Sequence, residues 1–228
     1  MNSKYNIPIS KTIISKQSKE SVLRVLNSGW LVQGKEVNQF GNKWTQITNS
    51  KFAICVNSCT SALYLSLKAL GLKKNDEVIL PSFTWISTAN VVEQLGGKPI
   101  FCDIDLNTFN IDTNEIEKKI SKKVKFILPV HLFGLPCDMD KILSISKKYN
   151  LKIVEDAACA IGTKYKGKHV GSFGNSGCFS LHPRKLVTTG EGGVITVNTN
   201  KLNSLLRALR DHGAKVSDLS RHKSPEPY

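Results

Sequence analysis

The sequence predicts an α/β fold, a mostly parallel sheet flanked by helices. Three observations predict it. Short, continuously apolar runs recur along the chain, as in buried parallel strands. Segments whose apolar residues repeat at helical spacing separate them, which gives the alternation of a sheet covered on both faces. The polar residues of most chemical interest fall just after apolar runs, at the carboxyl ends of strands, where ligands of such sheets sit.

The elements follow in order. Val37, Phe40, Trp44 and Ile47 repeat at helical spacing, and "FAICV" (52–56) is the first strand. Leu63, Leu67 and Leu70 line one side of a helix over 60–70, followed by the strand "EVILP". "WISTANVVEQL" (85–95) reads as a helix stopped by Gly96-Gly97, and "PIFCDID" as a strand. Asp112 with Glu115 forms a capping box that opens the helix 113–120. "VKFILPV" is a strand, "MDKILSISKKY" a helix and "LKIVED" a strand. A turn-rich stretch, 162–177, precedes two strands, "GCFSL" and "GGVITVN". A last helix begins at Asn200 and carries Leu202, Leu205, Leu206 and Leu209. The whole of 1–228 forms one large domain with a polar, aperiodic tail over about 214–228.

Composition narrows the function classes. With 40% hydrophobic and 22% charged residues the chain is globular. It has no run apolar enough to span a membrane and no secretory signal, so a cytoplasmic location with no membrane partner is expected. The six cysteines form no C-x-x-C pair; Cys55, Cys102 and Cys178 sit in apolar runs and read as buried, reduced thiols. The net charge of +14 comes from dispersed lysines, 27 of 32 basic residues, with few arginines to read bases. No nucleic-acid partner is expected; a phosphate-bearing small molecule would benefit from the field.

Four strand ends carry candidate chemistry. "NSCTSAL" opens a helix after the first strand, and its unpaired amides suit a phosphate, or its Ser and Thr are plain caps. Trp85 follows the second strand and either stacks on a flat ligand or packs as core. Glu155 and Asp156 end a buried strand, where alternation points them to opposite faces; Asp156 suits a cationic ring nitrogen, or a structural ion pair or helix cap. "SLHPRK" places Ser180 and Lys185 before a glycine-rich turn, beside His182 and Arg184. Neighbouring cations push a lysine towards its neutral, nucleophilic form. Together the four ask for pyridoxal phosphate, which needs a phosphate cradle, an aromatic plane, a carboxylate and an amine.

The motifs "NSCTSAL", "PSFTWISTAN", "PVHLFG", "EDAACAIGT", "VGSFGNSGCFSLHPRK", "TTGEGG" and "LRDHG" resemble the DegT/StrS family of pyridoxal-phosphate sugar aminotransferases. The resemblance runs from "IPIS" to "RDHG" in the family's order. It implies the fold-type-I aminotransferase large domain and transfer of an amino group, usually from glutamate, to a keto sugar on a nucleoside diphosphate. It implies Lys185 as the Schiff-base lysine and proton shuttle, Asp156 at the pyridine nitrogen and Trp85 stacked on the ring. Thr60 and Ser61 by their amides, and Ser180 by its hydroxyl, would hold the phosphate. Gly29 and Trp30 resemble a loop near the site, and His131 reads as a buried, hydrogen-bonded histidine. Cys59 stands where the family often has glycine, and Cys159 where Gln or His reaches the cofactor's phenolic oxygen. Relatives that dehydrate their substrate carry histidine in place of the lysine. Family members also run on into a smaller C-terminal domain and act as homodimers that share active-site residues. The alternative expectation is therefore a truncated, catalytically incomplete remnant, acting at most as a binding or dimerisation module.

Overall fold

The computed structural model describes residue 8, residues 10–214, and residues 216 and 220, so the predicted polar tail lies almost wholly outside the described residues. Among the described residues the strands are β1 (Phe52–Val56), β2 (Glu77–Pro81), β3 (Lys98–Cys102), β4 (Val124–Ile127), β5 (Lys152–Asp156), β6 (Lys164–Tyr165), β7 (Lys168–His169), β8 (Ser176–Ser180) and β9 (Gly193–Val197). The helices are α1 (Lys16–Ser28), α2 (Lys35–Thr48), α3 (Cys59–Ala69), α4 (Ser87–Gln94), α5 (Thr113–Ile116), α6 (Met139–Tyr149) and α7 (Asn200–Arg210). No helix among the described residues is long and apolar enough to cross a membrane.

Seven strands form one sheet in the order β1-β9-β8-β5-β4-β2-β3. All run parallel except β9, which pairs antiparallel with both its neighbours. This reversal matters for the site. The carboxyl ends of β1, β2, β5 and β8 share one edge, and the reversed β9 brings its amino end, Gly193, to that same edge beside Val56 and Ser180. A side chain at Gly193 would meet the Ser58 backbone at 2.5 Å, so only glycine lets β9 reach the start of α3.

Strand alternation divides the core. Val78, Leu80, Phe126, Leu128 and Val154 face one side, against Leu63 and Leu67 of α3, Val91 and Val92 of α4, and Leu206 of α7. Ile79, Ile127 and Ile153 face the other, against Ile116, Met139, Ile142 and Ile145. Trp44 of α2 extends that second layer, its ring edge-on to Phe179 at 5.4 Å. Ile54 is fully buried in β1. Deleting one methylene there, as Ile54→Val, is expected to cost about 0.5–1.5 kcal/mol. A drop in the midpoint of urea unfolding would register it; an unchanged midpoint would contradict the packing.

Several elements differ from expectation. No helix is expected from the sequence over 16–28, yet Ser15 caps α1 by accepting the Ser18 amide and Gly29 ends it at φ 69°. None of its residues is buried, so it lacks the core-facing stripe that periodicity detects. The capping box is half formed. Asp112 accepts the Asn114 amide, whereas the Glu115 carboxylate turns outward to Lys118 at 2.6 Å, and helix 113–120 tightens into a 3-10 turn at 117–119. The turn-rich stretch contains a small hairpin, β6–β7, closed by Lys166 and Gly167, both at positive φ as such two-residue turns require. Cys102 and Cys178 are buried as expected, but Cys55 is only half-buried.

Candidate active site

A cleft of about 550 Å³ opens at the shared sheet edge. Thr60, Trp85, Asp156, Ser180 and Lys185 all line it, with His182, Arg184, Glu191 and Gly192 on one wall. Ser61 does not line it. Its amide donates to the Ser58 hydroxyl at 3.0 Å, the bond that caps α3, so this donor is committed to the helix start. A larger neighbouring cleft, about 680 Å³, shares Thr60 and includes Ser61 and Arg210, but it is lined by no lysine and no carboxylate. Trp30 lines neither cleft; its indole N–H donates to the Gln33 carbonyl at 3.2 Å.

The floor is the end of β5. Asp156 is 4% exposed and accepts the Ala158 amide at 3.1 Å and the Thr88 hydroxyl at 3.0 Å. Burial pushes its carboxyl above the usual range, and the Ala158 N–H, the Thr88 hydroxyl and the charge of Lys185 oppose this. Its neighbour Glu155 points to the opposite face, as alternation requires, and is fully buried. It accepts the amides of Phe173 and Gly174 on one oxygen, at 2.8 and 2.7 Å. The Gly171 amide, at 2.7 Å, and His131 Nε2, at 3.1 Å, meet the other. His131 Nδ1 accepts the Cys137 amide at 3.1 Å, which leaves the proton on Nε2, aimed at Glu155. His131 is thus a buried, hydrogen-bonded histidine behind the floor, and its backbone amide donates to the Asp156 carbonyl.

Above the floor stands Lys185. It is half-buried, and its Nζ donates to Cys159 Sγ at 3.0 Å. The turn after Pro183 brings the Lys185 amide to the His182 carbonyl at 2.8 Å. His182 Nδ1 accepts the Arg184 amide at 3.2 Å, and its Nε2 lies 4.0 Å from the Glu191 carboxylate. Glu191 is a cleft residue that sequence reasoning missed; the turn "TTGEGG" held it, but nothing in its spacing shows that the turn folds back on His182.

Trp85 forms the opposite wall and is 73% exposed. Its open face is free to stack against a flat partner. The amides of Cys59 and Thr60 open α3, where no acceptor exists within the helix. Amine, buried carboxylate, open indole and helix amides thus converge in one cleft.

The chain and its fold have counterparts among known proteins. The profile of the DegT/DnrJ/EryC1/StrS aminotransferase family matches residues 12–225. The chain belongs to that family. GDP-perosamine synthase of Escherichia coli O157:H7 is 41% identical over 211 residues, covering 92% of this chain and 58% of that protein. Among solved structures, the aminotransferase from Psychrobacter cryohalolentis superposes with a TM-score of 0.88 at 36% identity, over 94% of this chain and 55% of that one. The GDP-4-keto-6-deoxy-D-mannose-3-dehydratase of E. coli, solved with bound hydrated pyridoxal phosphate, gives a TM-score of 0.87 at 31% identity. It is covered over 91% of this chain and 55% of its own. The chain therefore spans little more than half the length of these relatives, and its mostly parallel sheet flanked by helices is that of the fold-type-I aminotransferases.

Proposed function

We propose that this chain carries the cofactor-binding core of a pyridoxal-phosphate-dependent sugar aminotransferase acting on a nucleoside-diphosphate-linked keto sugar, with glutamate as amino donor. The observation that carries the reading is the convergence of Lys185 and Asp156, from strand ends separated along the sequence, in the one cleft that also holds Trp85.

The residues fit the cofactor. Asp156 is a carboxyl held out of water at some cost, and a cationic ring nitrogen beside it would offset that cost. Pyridoxal phosphate, when bound, supplies a carbonyl that exchanges amines and a ring that stores electrons. The chain's own groups do the rest. Lys185 offers the primary amine that would hold the cofactor covalently and then carry a proton between donor and acceptor carbons. Asp156 would keep the proton on the ring nitrogen, with Thr88 and the Ala158 amide fixing its orientation. Trp85 would cover one ring face and exclude water. The Thr60 amide and the Ser180 hydroxyl would hold the phosphate at the positive end of α3.

A lysine at 185 favours amino transfer over dehydration, since dehydrating members of the family carry histidine there. In the full-length form a homodimer would complete each site with residues from its partner subunit.

Borohydride reduction of the chain incubated with pyridoxal phosphate tests the reading. The expected result is a pyridoxyl group on Lys185 alone, found by peptide mass spectrometry. Labelling spread over surface lysines, or none at all, would remove the support for a built site and leave at most a binding or dimerisation module.

A further inference from the structure

Six thiols differ sharply in their surroundings. Burial pushes those of Cys55, Cys59, Cys102 and Cys178 up and out of easy reactivity. Cys137 is buried and donates to the Val130 carbonyl at 3.1 Å. Cys159 alone is exposed, in the turn just beyond Asp156, and its sulfur is 3.0 Å from Lys185 Nζ. That turn is held. The Ala160 amide closes it onto the Ala157 carbonyl at 2.9 Å, and Gly134 packs closely on the Cys159 carbonyl, which a Cβ there would approach to 3.1 Å. A nucleophilic sulfur and a primary amine are therefore kept at bonding reach, on the open side of the cleft. An oxidant can arrive from solvent without unfolding anything.

We propose that Cys159 and Lys185 form an oxidation-sensitive pair in which peroxide joins sulfur to nitrogen and removes the amine from service. The atoms balance in two steps. The Cys159 thiolate attacks hydrogen peroxide, a sulfur–oxygen bond forms and the peroxide bond breaks; the hydroxide released takes up the proton the thiol had shed and leaves as water, giving a sulfenic acid. The lone pair of Lys185 Nζ then attacks that sulfur and displaces hydroxide. With the proton shed by nitrogen, the hydroxide leaves as a second water and a sulfenamide remains. Sulfur is oxidised and peroxide is the only oxidant consumed. A thiol such as dithiothreitol reverses the bridge by attacking sulfur and returning the free amine.

The bridge depends only on the two side chains. Its consequence rests on the proposed cofactor reading: a nitrogen already bonded to sulfur has one hydrogen left and cannot condense with an aldehyde. The bridge would close only while the amine is free, so bound cofactor should protect against it.

The test treats the full chain with hydrogen peroxide, with and without prior addition of pyridoxal phosphate, and maps peptides by mass spectrometry. The expected product links the peptides of Cys159 and Lys185 and is lighter than the two separate peptides by two hydrogen atoms. It disappears with dithiothreitol and is lost in Cys159→Ser and Lys185→Arg, while Cys59→Ser still forms it. Oxidation of Cys159 to sulfinic acid with Lys185 still open to acetylation would overturn the proposal. So would a product that survives in Cys159→Ser. The borohydride label separates the two readings: a pyridoxyl group on Lys185 with no bridge under peroxide would sink the switch and leave the proposed function standing. A bridge with no cofactor label would do the reverse.

Discussion

Glu155→Ala is expected to be the most destabilising single change near the site, at about 3–5 kcal/mol. The carboxylate accepts from the amides of Gly171, Phe173 and Gly174 and from His131 Nε2. Truncation removes all four acceptor contacts at once and leaves the donors buried, where each unsatisfied group costs about 1–3 kcal/mol before relaxation. The backbone cannot simply retreat. Gly171, at φ 78°, already packs against the Phe179 ring, and Gly177 packs against Gly171, so this turn is locked into the sheet at β8. Urea unfolding of the variant should show a lower midpoint with an unchanged slope. Glu155→Gln should fall between the two, because one of its amide N–H groups would face a donor. An alanine variant as stable as the parent would show that the 171–174 turn finds its partners elsewhere, and the carboxylate would lose its structural role. The measurement also bears on the site, because His131 and β5 are fixed by the same contacts that orient Asp156.

Much of this was readable in the sequence. Continuous apolar strands and helical-period segments gave the layers, since burial on both faces leaves no choice of residue type. The rule that ligands sit beyond strand carboxyl ends then brought residues 60, 85, 156, 180 and 185 to one edge. Alternation along "LKIVED" separated Glu155 from Asp156. What stayed hidden depends on contacts between segments. The reversal of β9 has no local signature, because an antiparallel strand buried on both faces carries the same apolar run as a parallel one. The commitment of the Ser61 amide follows from the rotamer of Ser58. The half-formed cap at Asp112 turns on Glu115 choosing Lys118 in solvent, a difference of a few tenths of a kcal/mol. The helix α1 carries cap signals at Ser15 and Gly29, but its apolar residues Val22, Leu23 and Leu26 remain exposed, so no core stripe marks it.

Asp156→Asn should separate stability from chemistry. In the protein without cofactor, burial raises the carboxyl above its ordinary value near 3.8. The sign follows from proton binding: within the window that begins near 3.8 and extends up to the raised value, the folded state holds a proton that the unfolded state has released. Stability contributed by the protonated form is therefore lost as pH rises through that window, and at neutral pH the ionised carboxylate weighs against the empty fold. An asparagine of the same shape carries no such cost; its oxygen can still accept the Ala158 amide, and its NH2 can donate to the Thr88 hydroxyl, which then turns to accept. The variant without cofactor should accordingly be at least as stable as the parent at pH 7, with less loss of stability between acid and neutral pH. Its chemistry should suffer in the opposite sense. A neutral amide cannot hold a proton on a ring nitrogen, so amino transfer by the complete enzyme should fall by about 10²–10³-fold, the scale for removing one preorganised electrostatic partner. The expected combination is an unchanged or raised unfolding midpoint at pH 7, covalent capture of the cofactor at Lys185 retained, and turnover lost. If the variant is less stable at pH 7, the carboxylate is satisfied in the empty fold and is a structural group. If turnover persists, the ring nitrogen is served by another residue, and the pairing of Asp156 with the cofactor is wrong.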